Sequence, residues 1–198
     1  MSGFPFIILI FVAATGFAAL AFYIAGRRTR TINLAWGDLS ARLGMNLNPA
    51  SFSFGPSVVG EQGGRPAQMY LQPSGWRRGY NTRLRLTIRN RSQLRMKIST
   101  SKRSLNFLSD FSRTNIVHTG NDAIDARFMI WGNPQPMTTK LISDTVIQSE
   151  LLSLPGWVEI EINGPNLWLD RRGGEHDVEL LLEAFKILDH IANLIEGM

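Results

Sequence analysis

Residues 83–99, RLRLTIRNRSQLRMKIS, decide the fold of this chain. Apolar residues alternate with basic and polar ones on both sides of a turn-like Asn90-Arg91-Ser92, at Leu84, Leu86, Ile88, Leu94, Met96 and Ile98. Because successive side chains of a strand point to opposite faces, each run has one apolar face for a core and one basic face. The pattern predicts two antiparallel strands joined as a hairpin.

The basic face of this predicted hairpin is the strongest candidate for a functional site. Its residues, with those near its ends, are Arg77, Arg78, Arg83, Arg85, Arg89, Arg95 and Lys97. Such a face suits anionic lipid, an acidic protein surface, the chain's own acidic half, or water alone. Nucleic acid is disfavoured, because no aromatic residues alternate with the basic ones on these strands. Since the face points away from the core, replacing Arg83, Arg85 and Arg95 with Ser should leave the fold intact.

The remaining elements are predicted in the same way. Further strands are expected at 65–71, 125–131, 157–162 and 167–169. Apolar residues at helical spacing predict helices at 137–154 and 177–196. Together these elements predict an α+β domain in which an antiparallel sheet packs against two or more helices.

The last predicted helix has more apolar surface than one face of a sheet requires. Two apolar stripes run side by side along it, at Leu180, Ala184, Ile187, Ile191 and Leu194 and at Leu181, Phe185, Leu188, Ala192 and Ile195. They cover about two-thirds of the circumference of the helix. Either the helix is enclosed within its own domain, or part of it contacts a second protein.

An uncharged apolar stretch, FPFIILIFVAATGFAALAFYIAG, occupies residues 4–26, and three arginines follow within four residues. As a helix it is roughly 34 Å long, enough to cross a hydrocarbon core of about 30 Å. A cleaved signal peptide is the alternative, suggested by Ala19-Leu20-Ala21, but its charge would precede a shorter apolar core. The positive-inside rule then predicts that the N-terminus lies outside and the rest of the chain in the cytoplasm.

Small residues share one face of this predicted transmembrane helix, at Ala14, Ala18, Ala21 and Ala25. They fall within about 60° on a helical wheel. Because small side chains let helices approach closely in lipid, this face predicts packing against another membrane helix. A plain tether is the alternative, since Ala is common in membrane spans.

After the predicted span, residues 27–64 are expected to form a juxtamembrane helix and a linker, and residues 65–198 a single cytoplasmic domain. Leucines at 34, 39 and 43 predict a short amphipathic helix that ends at Gly44. This helix either lies on the membrane surface, with Trp36 among the headgroups, or packs on the domain.

Charge is divided unevenly along the chain. Residues 27–113 contain sixteen Lys and Arg against three acids, whereas residues 114–198 contain five against thirteen. An asymmetry of this kind is typical of a protein with a partner surface.

The sequence contains no motif for catalysis, a cofactor or a metal. Its three histidines, His118, His176 and His190, lack metal-binding spacing, and the chain has no cysteine. No phosphate-binding glycine loop, dinucleotide fingerprint or nucleophile elbow occurs. We therefore expect no enzymatic activity, no cofactor and no small-molecule substrate.

A series of short motifs follows Thr119: Gly120-Asn121-Asp122 before Asp125-Ala126-Arg127-Phe128, then Gly132-Asn133-Pro134, Leu141-Ile142-Ser143, Leu151-Leu152 and the closing apolar helix. In these motifs the chain resembles bacterial single-pass membrane-anchored domains of unknown function. The resemblance covers roughly residues 119–198 and implies a one-pass anchor, in a bacterial cytoplasmic membrane, with a compact α+β domain. It assigns no functional residue.

These observations predict a non-catalytic accessory or assembly subunit of a larger membrane protein complex, with energy-transducing complexes among the candidates. Its partners would be membrane lipid and the other subunits. The alternative is a membrane-tethered module that binds anionic lipid or nucleic acid through the Arg-rich hairpin face. A membrane-tethered enzyme ranks last.

Overall fold

The computed structural model describes residue 17 and residues 26–27, 29–50, 55–73, 79–100 and 116–198. These residues form an α+β fold in which an eight-stranded antiparallel sheet packs against helices, which confirms the predicted fold class. The strands are β1 (Asn46–Asn48), β2 (Ser57–Gln62), β3 (Arg65–Pro73), β4 (Tyr80–Thr87), β5 (Arg95–Ser99), β6 (Met129–Asn133), β7 (Val158–Asn163) and β8 (Asn166–Arg172). The helices of the described residues are α1 (residues 29–43), α2 (Asp122–Arg127), α3 (Gln135–Ile142), α4 (Thr145–Ser153) and α5 (Val178–Glu196).

Strands β4 and β5, which carry the alternating pattern, are not partners. The order across the sheet is β1-β2-β3-β4-β8-β7-β5-β6, so β8 and β7 lie between them. β4 pairs with β3 and β8, and β5 pairs with β6 and β7. The predicted hairpin is therefore wrong, although both predicted strands form and bury their apolar residues.

The segment between β4 and β5 holds the turn of the β7–β8 hairpin. Ile88 donates its N–H to the carbonyl oxygen of Pro165 at 2.8 Å, and the Asn90 side-chain amide donates to the carbonyl oxygen of Gly164 at 3.0 Å. The Asn90 side chain also bonds to both the N–H and the carbonyl oxygen of Leu94. The predicted turn is thus a crossing segment, and the strands inserted between β4 and β5 satisfy their backbone hydrogen bonds.

The globular unit begins well before residue 65. Strands β1 and β2 lie within residues 46–64, which the sequence predicted as linker, and they extend the sheet by two strands. Gly60 of β2 lets Met45 pack closely, because a Cβ atom there would lie 2.7 Å from the Met45 Cγ atom. Residues 29–62 therefore include a helix and two strands of the domain.

Helix α1 packs on the domain and belongs to its core. Trp36 and Leu39 are fully buried, and Gly44, with a φ of 65°, follows the helix as predicted. Of the two interpretations of this helix, packing on the domain is confirmed. The position of Trp36 among lipid headgroups is wrong, because its ring lies inside the protein.

Two Asx caps explain the errors in the second half of the chain. The predicted helix 137–154 is divided into α3 and α4 by Asp144, whose carboxylate accepts two backbone N–H bonds of α4 at 2.9 and 3.0 Å. The predicted strand 125–131 begins as α2, which Asn121 caps, and only its last part enters β6. Each cap begins a helix that apolar spacing alone did not reveal.

Helix α5 is enclosed within its own domain. It contacts β4, β8, α3 and α4. Arg65 of β3 holds its C-terminal half through hydrogen bonds to Asp189, Asn193 and Glu196 at 2.7–2.8 Å. Both apolar stripes contribute buried residues, namely Leu181, Ala184, Phe185, Ile187, Leu188, Ile191, Ala192 and Ile195. The first interpretation of this helix is confirmed, and its apolar surplus is no longer an argument for a partner.

The predicted span, residues 4–26, lies almost wholly outside the described residues, and so do Ala14, Ala18, Ala21 and Ala25. Phe17, Gly26 and Arg27 are described and are helical. Among the residues that the structure describes, no helix combines the length and the apolar character needed to cross a membrane. The transmembrane anchor therefore stays a prediction.

Candidate functional site on the outer face of the sheet

Three of the predicted basic residues share the face of the sheet opposite the helices, which we call the outer face. The strand register aligns them with side chains of β7 and β8 in two rows that cross the strands. One row contains Arg83, Asp170, Glu159 and Ser99, and the other contains Arg85, Trp168, Glu161 and Lys97. The basic residues therefore alternate with acids and with an aromatic ring.

Arg83 is neutralised within the chain. Its guanidinium donates two hydrogen bonds to the carboxylate of Asp170, at 2.7 and 2.5 Å, and Asp170 is only 6% exposed. The hydrogen bond to Asp170 raises the pKa of Arg83 above its usual value, although burial opposes the shift. The guanidinium also lies over the Trp168 ring, 5.4 Å from its centre. Arg83 is therefore engaged in contacts within the chain that stabilise the fold.

Lys97 is likewise paired with the acidic half of the chain. Its ammonium lies 2.7 Å from a carboxylate oxygen of Glu159, and the residue is 4% exposed. A buried ammonium is stable only with a partner of this kind. Of the interpretations of the basic face, contact with the chain's own acidic half is confirmed for Arg83 and Lys97.

Arg85 differs from these two residues. It forms no ion pair with any described residue, and its Nε is buried without a hydrogen-bond partner among them. Beside it lies a cleft of about 210 Å³, whose other outer-face side chains include Val59, Gln68 and Thr87. A guanidinium with an unused donor suits a carboxylate or a phosphate group.

Glu161 lies two strands from Arg85 in the same row, with Trp168 between them. Burial raises the pKa of Glu161 above its usual value, and the nearby charge of Lys97 opposes that shift. No ion pair or hydrogen bond joins its carboxylate to a described residue. The centre of the outer face thus presents one cation and one acid that the described part of the fold leaves unpaired.

The remaining predicted residues lie elsewhere. Arg89 and Arg95 are exposed at the end of the sheet where β4 ends and β5 begins. Near Arg95 there is a cleft of about 400 Å³, which Asn90, Gln93, Asn133 and Asn163 also line. Arg77 and Arg78 lie outside the described residues. The five predicted residues that the structure describes do not form one continuous basic patch.

Sequence reasoning missed the residues of β7 and β8 on this face. In the sheet, Trp168 and Asp170 of β8 lie beside Arg85 and Arg83 of β4. Neither β4 nor β5 has an aromatic residue on its basic face, but the assembled sheet places one between the basic residues. A signal was present: Glu159 and Glu161 alternate with apolar residues in the same manner as Arg83 and Arg85. When one strand carries basic residues and another carries acidic residues at alternate positions, the opposite charges favour placing the two strands in one sheet with those residues on the same face.

The described residues contain no group of three or more His, Asp or Glu side chains that could hold a metal ion. His190 and Lys186 of α5 both approach Glu150 of α4, at 3.1 and 3.4 Å. This cluster joins two helices at the surface and has the form of a structural contact.

No protein-family model and no curated protein sequence matches this chain. Among solved structures, the chain is similar to the crystal structure of the mycobacterial trehalose monomycolate transport factor A, TtfA. The TM-score is 0.56 at 10% sequence identity, over 85% of this chain and 97% of that one. At this identity the similarity shows a shared fold.

Proposed function

We propose that this chain is a non-catalytic accessory or assembly subunit of a membrane protein complex, anchored by the segment 4–26. The observation that carries the proposal is the burial of α1 in the core of the domain. Gly26 and Arg27, at the end of the predicted span, have helical backbone. A domain fixed directly to its anchor is held in one orientation, which lowers the entropic cost of docking on a neighbouring membrane protein.

Two further observations support this function. The fold is shared with a protein that is described as a transport factor. The outer face also combines Trp168, Arg85 and Tyr70, which lies opposite Arg83 on β3. Trp, Tyr and Arg are the residue types that contribute most to binding at protein interfaces. Within the proposal, Arg85 and the neighbouring cleft are the contact for an acidic group of the partner.

Co-purification tests the proposal directly. The full chain, tagged at its C-terminus and extracted in a mild detergent, should bring down membrane proteins in fixed stoichiometry. Replacing Ala18 and Ala21 with Leu keeps the hydropathy of the span but separates a neighbouring helix. We expect this variant to insert and to lose its partners. The matched control, Ala13→Leu with Ala19→Leu, changes two positions that lie more than about 100° from the centre of the alanine face on a helical wheel, and should retain them.

The cellular location is part of the same proposal. We place the N-terminus outside and the domain in the cytoplasm of a bacterial cell, because the arginines follow the span. An alkaline phosphatase fused after Met198 should be inactive, since the enzyme requires export. An active fusion would exclude this orientation.

The alternative function, binding of anionic lipid or nucleic acid through the basic face, is less well supported. Arg83 and Lys97 are already paired with Asp170 and Glu159. An anionic surface would have to displace these carboxylates or tolerate their charge. The carboxylates on this face therefore make it a poor surface for contact with anionic lipid.

A further inference from the structure

The end of the sheet from which α1 leaves the domain has its own surface. Here β3 ends, β4 begins, β7 begins and β8 ends, and we call this the proximal end. Ile32 of α1 lies against it, since a Cβ atom on Gly174, just beyond β8, would be 2.8 Å from Ile32 Cδ1. Trp36 fixes the helix to the same region through Glu175. The opposite end, with the β7–β8 turn, we call the distal end.

The position of α1 limits how far the proximal end can be from the membrane. The predicted span ends at Gly26, six residues before Ile32. A continuous helix, at 1.5 Å per residue, would put Gly26 about 9 Å from Ile32 along the axis. The headgroup layer on each side of the hydrocarbon core is roughly 5–7.5 Å thick. A domain attached at Ile32 would therefore have its proximal end next to the headgroups.

The side chains at the proximal end are of the types found at membrane interfaces. The guanidinium of Arg172 lies over the ring of Trp157, 5.7 Å from its centre, and Tyr80 on the adjacent strand is 51% exposed. Trp and Tyr are enriched where a membrane meets water, and Arg binds lipid phosphates. Arg30 is exposed on α1, one turn before the domain. These side chains lie at the same end of the sheet, Trp157 and Arg172 on its outer face and Tyr80 on the face that carries the helices.

The acids at this end are already engaged. Glu175 pairs with Arg171 at 3.1 Å, and Glu179 pairs with Arg42 at 2.6 Å. Asp177 caps α5 by accepting its first N–H groups. In contrast, Arg172 forms no ion pair with any described residue. Its positive charge is therefore balanced by no carboxylate of the described fold.

We propose that the proximal end of the sheet, with Tyr80 on one face and Trp157 and Arg172 on the other, rests on the headgroups of an anionic bilayer. The inference depends on the proposed anchor and adds the surface through which the domain contacts lipid. Such contact fixes the tilt of the domain, with its distal end directed away from the membrane. It leaves the outer face accessible to a protein partner at the membrane surface.

Spin labels on single cysteines test this orientation, because the chain has no cysteine of its own. One label is placed at Pro155→Cys, beside Trp157, and its matched control at Asn163→Cys, at the other end of β7. These positions are separated by roughly 20–27 Å along the strand direction. The full chain is reconstituted in nanodiscs of phosphatidylglycerol and phosphatidylethanolamine that contain a gadolinium-chelating lipid. We expect the gadolinium lipid to enhance the relaxation of the spin label at position 155 and to have no such effect on the label at position 163.

Two variants define the chemistry of the contact. Arg172→Gln with Trp157→Ala should reduce the enhancement at 155, and replacing the anionic lipid with phosphatidylcholine should do the same. The control Arg95→Gln removes an exposed arginine at the distal end and should change nothing. Equal enhancement at 155 and 163, in chain that resists carbonate extraction, would overturn the lipid contact but keep the anchor. Chain that carbonate removes would overturn both.

Discussion

Trp36 of α1 donates its indole N–H to the carbonyl oxygen of Glu175 at 2.9 Å, across 139 positions of sequence. The bond joins α1, the helix that follows the predicted anchor, to the loop that precedes α5. Because Trp36 is fully buried, this donor has no access to water and requires a protein acceptor. The bond therefore fixes α1 directly to the core of the domain.

Replacing Trp36 with Phe should weaken this link without emptying the site. The ring volume is largely kept, but the carbonyl of Glu175 loses its donor, and we expect the free energy of unfolding to fall by about 1–2 kcal/mol. Denaturant unfolding of the full chain in detergent measures the loss. Trp157→Phe is the matched control, because Trp157 is partly exposed, and it should cost at most about 0.5 kcal/mol. Equal losses would show that the indole bond contributes nothing.

The pair Arg83–Asp170 changes what mutation of the basic face should do. Asp170→Ala leaves a half-buried guanidinium without its carboxylate, and we expect it to destabilise the fold by about 2–4 kcal/mol. Arg95→Ser should cost at most about 0.5 kcal/mol, because Arg95 is exposed. The expectation that Ser at 83, 85 and 95 leaves the fold intact is thus revised: that variant should be clearly destabilised.

A double-mutant cycle separates the pair from its surroundings. Arg83→Gln and Asp170→Asn are measured singly and together by denaturant unfolding. Because the two side chains are in bidentate contact, their coupling should exceed about 1 kcal/mol. Additive effects would mean that each residue acts through other neighbours, such as the ring of Trp168.

Local pattern was sufficient to predict most elements of this fold. The strands around Leu84 and Met96, and the last helix, follow from periods of two and of 3.6 residues that one core face imposes. Pairing could not be obtained in this way, because alternation fixes which face a strand buries but not which strand lies beside it. The pattern therefore favoured the nearest strand in sequence as the partner. In the structure, strands β7 and β8, whose paired residues lie 60 or more positions further along the chain, occupy the place beside β5 and β4.

The same limit applied to the candidate site. Arg83, Arg85 and Lys97 were correctly placed on a face away from the helices, since strand period alone decides this. Their neighbours across the sheet determine their chemistry, and these come from the acidic half of the chain. Only the assembled register shows that Asp170 neutralises Arg83 while Arg85 has no carboxylate partner among the described residues.

The contact between Arg65 and Glu196 should make stability depend on acid pH. The hydrogen bond from Arg65 lowers the pKa of Glu196 below its unfolded value of 4.5. A lowered pKa contributes stability above the unfolded value, and this is lost as the pH falls through the folded value. Glu196→Gln should therefore cost about 1 kcal/mol at neutral pH, allowing for solvent screening, and progressively less in acid.

The control for this prediction is Glu183→Gln, an exposed position on the same helix. It should show no comparable change in stability between neutral pH and acid. Urea unfolding at a series of pH values gives both curves. A cost at Glu196 that stays constant across the series would assign the effect to packing and exclude the ion pair.

Glu161 should show the opposite dependence on pH. Burial raises its pKa in the folded state above the unfolded value of 4.5, so the folded chain holds the proton more tightly. The stability that comes from the neutral acid is present below the unfolded pKa and is lost as the pH rises through the folded pKa. At neutral pH the half-buried carboxylate therefore destabilises the fold. Allowing for solvent screening, Glu161→Gln should raise the free energy of unfolding by at most about 0.5 kcal/mol at neutral pH, and the gain should vanish in acid. Urea unfolding at both pH values measures it, and a loss of stability at neutral pH would mean that the carboxylate has a partner that supports it.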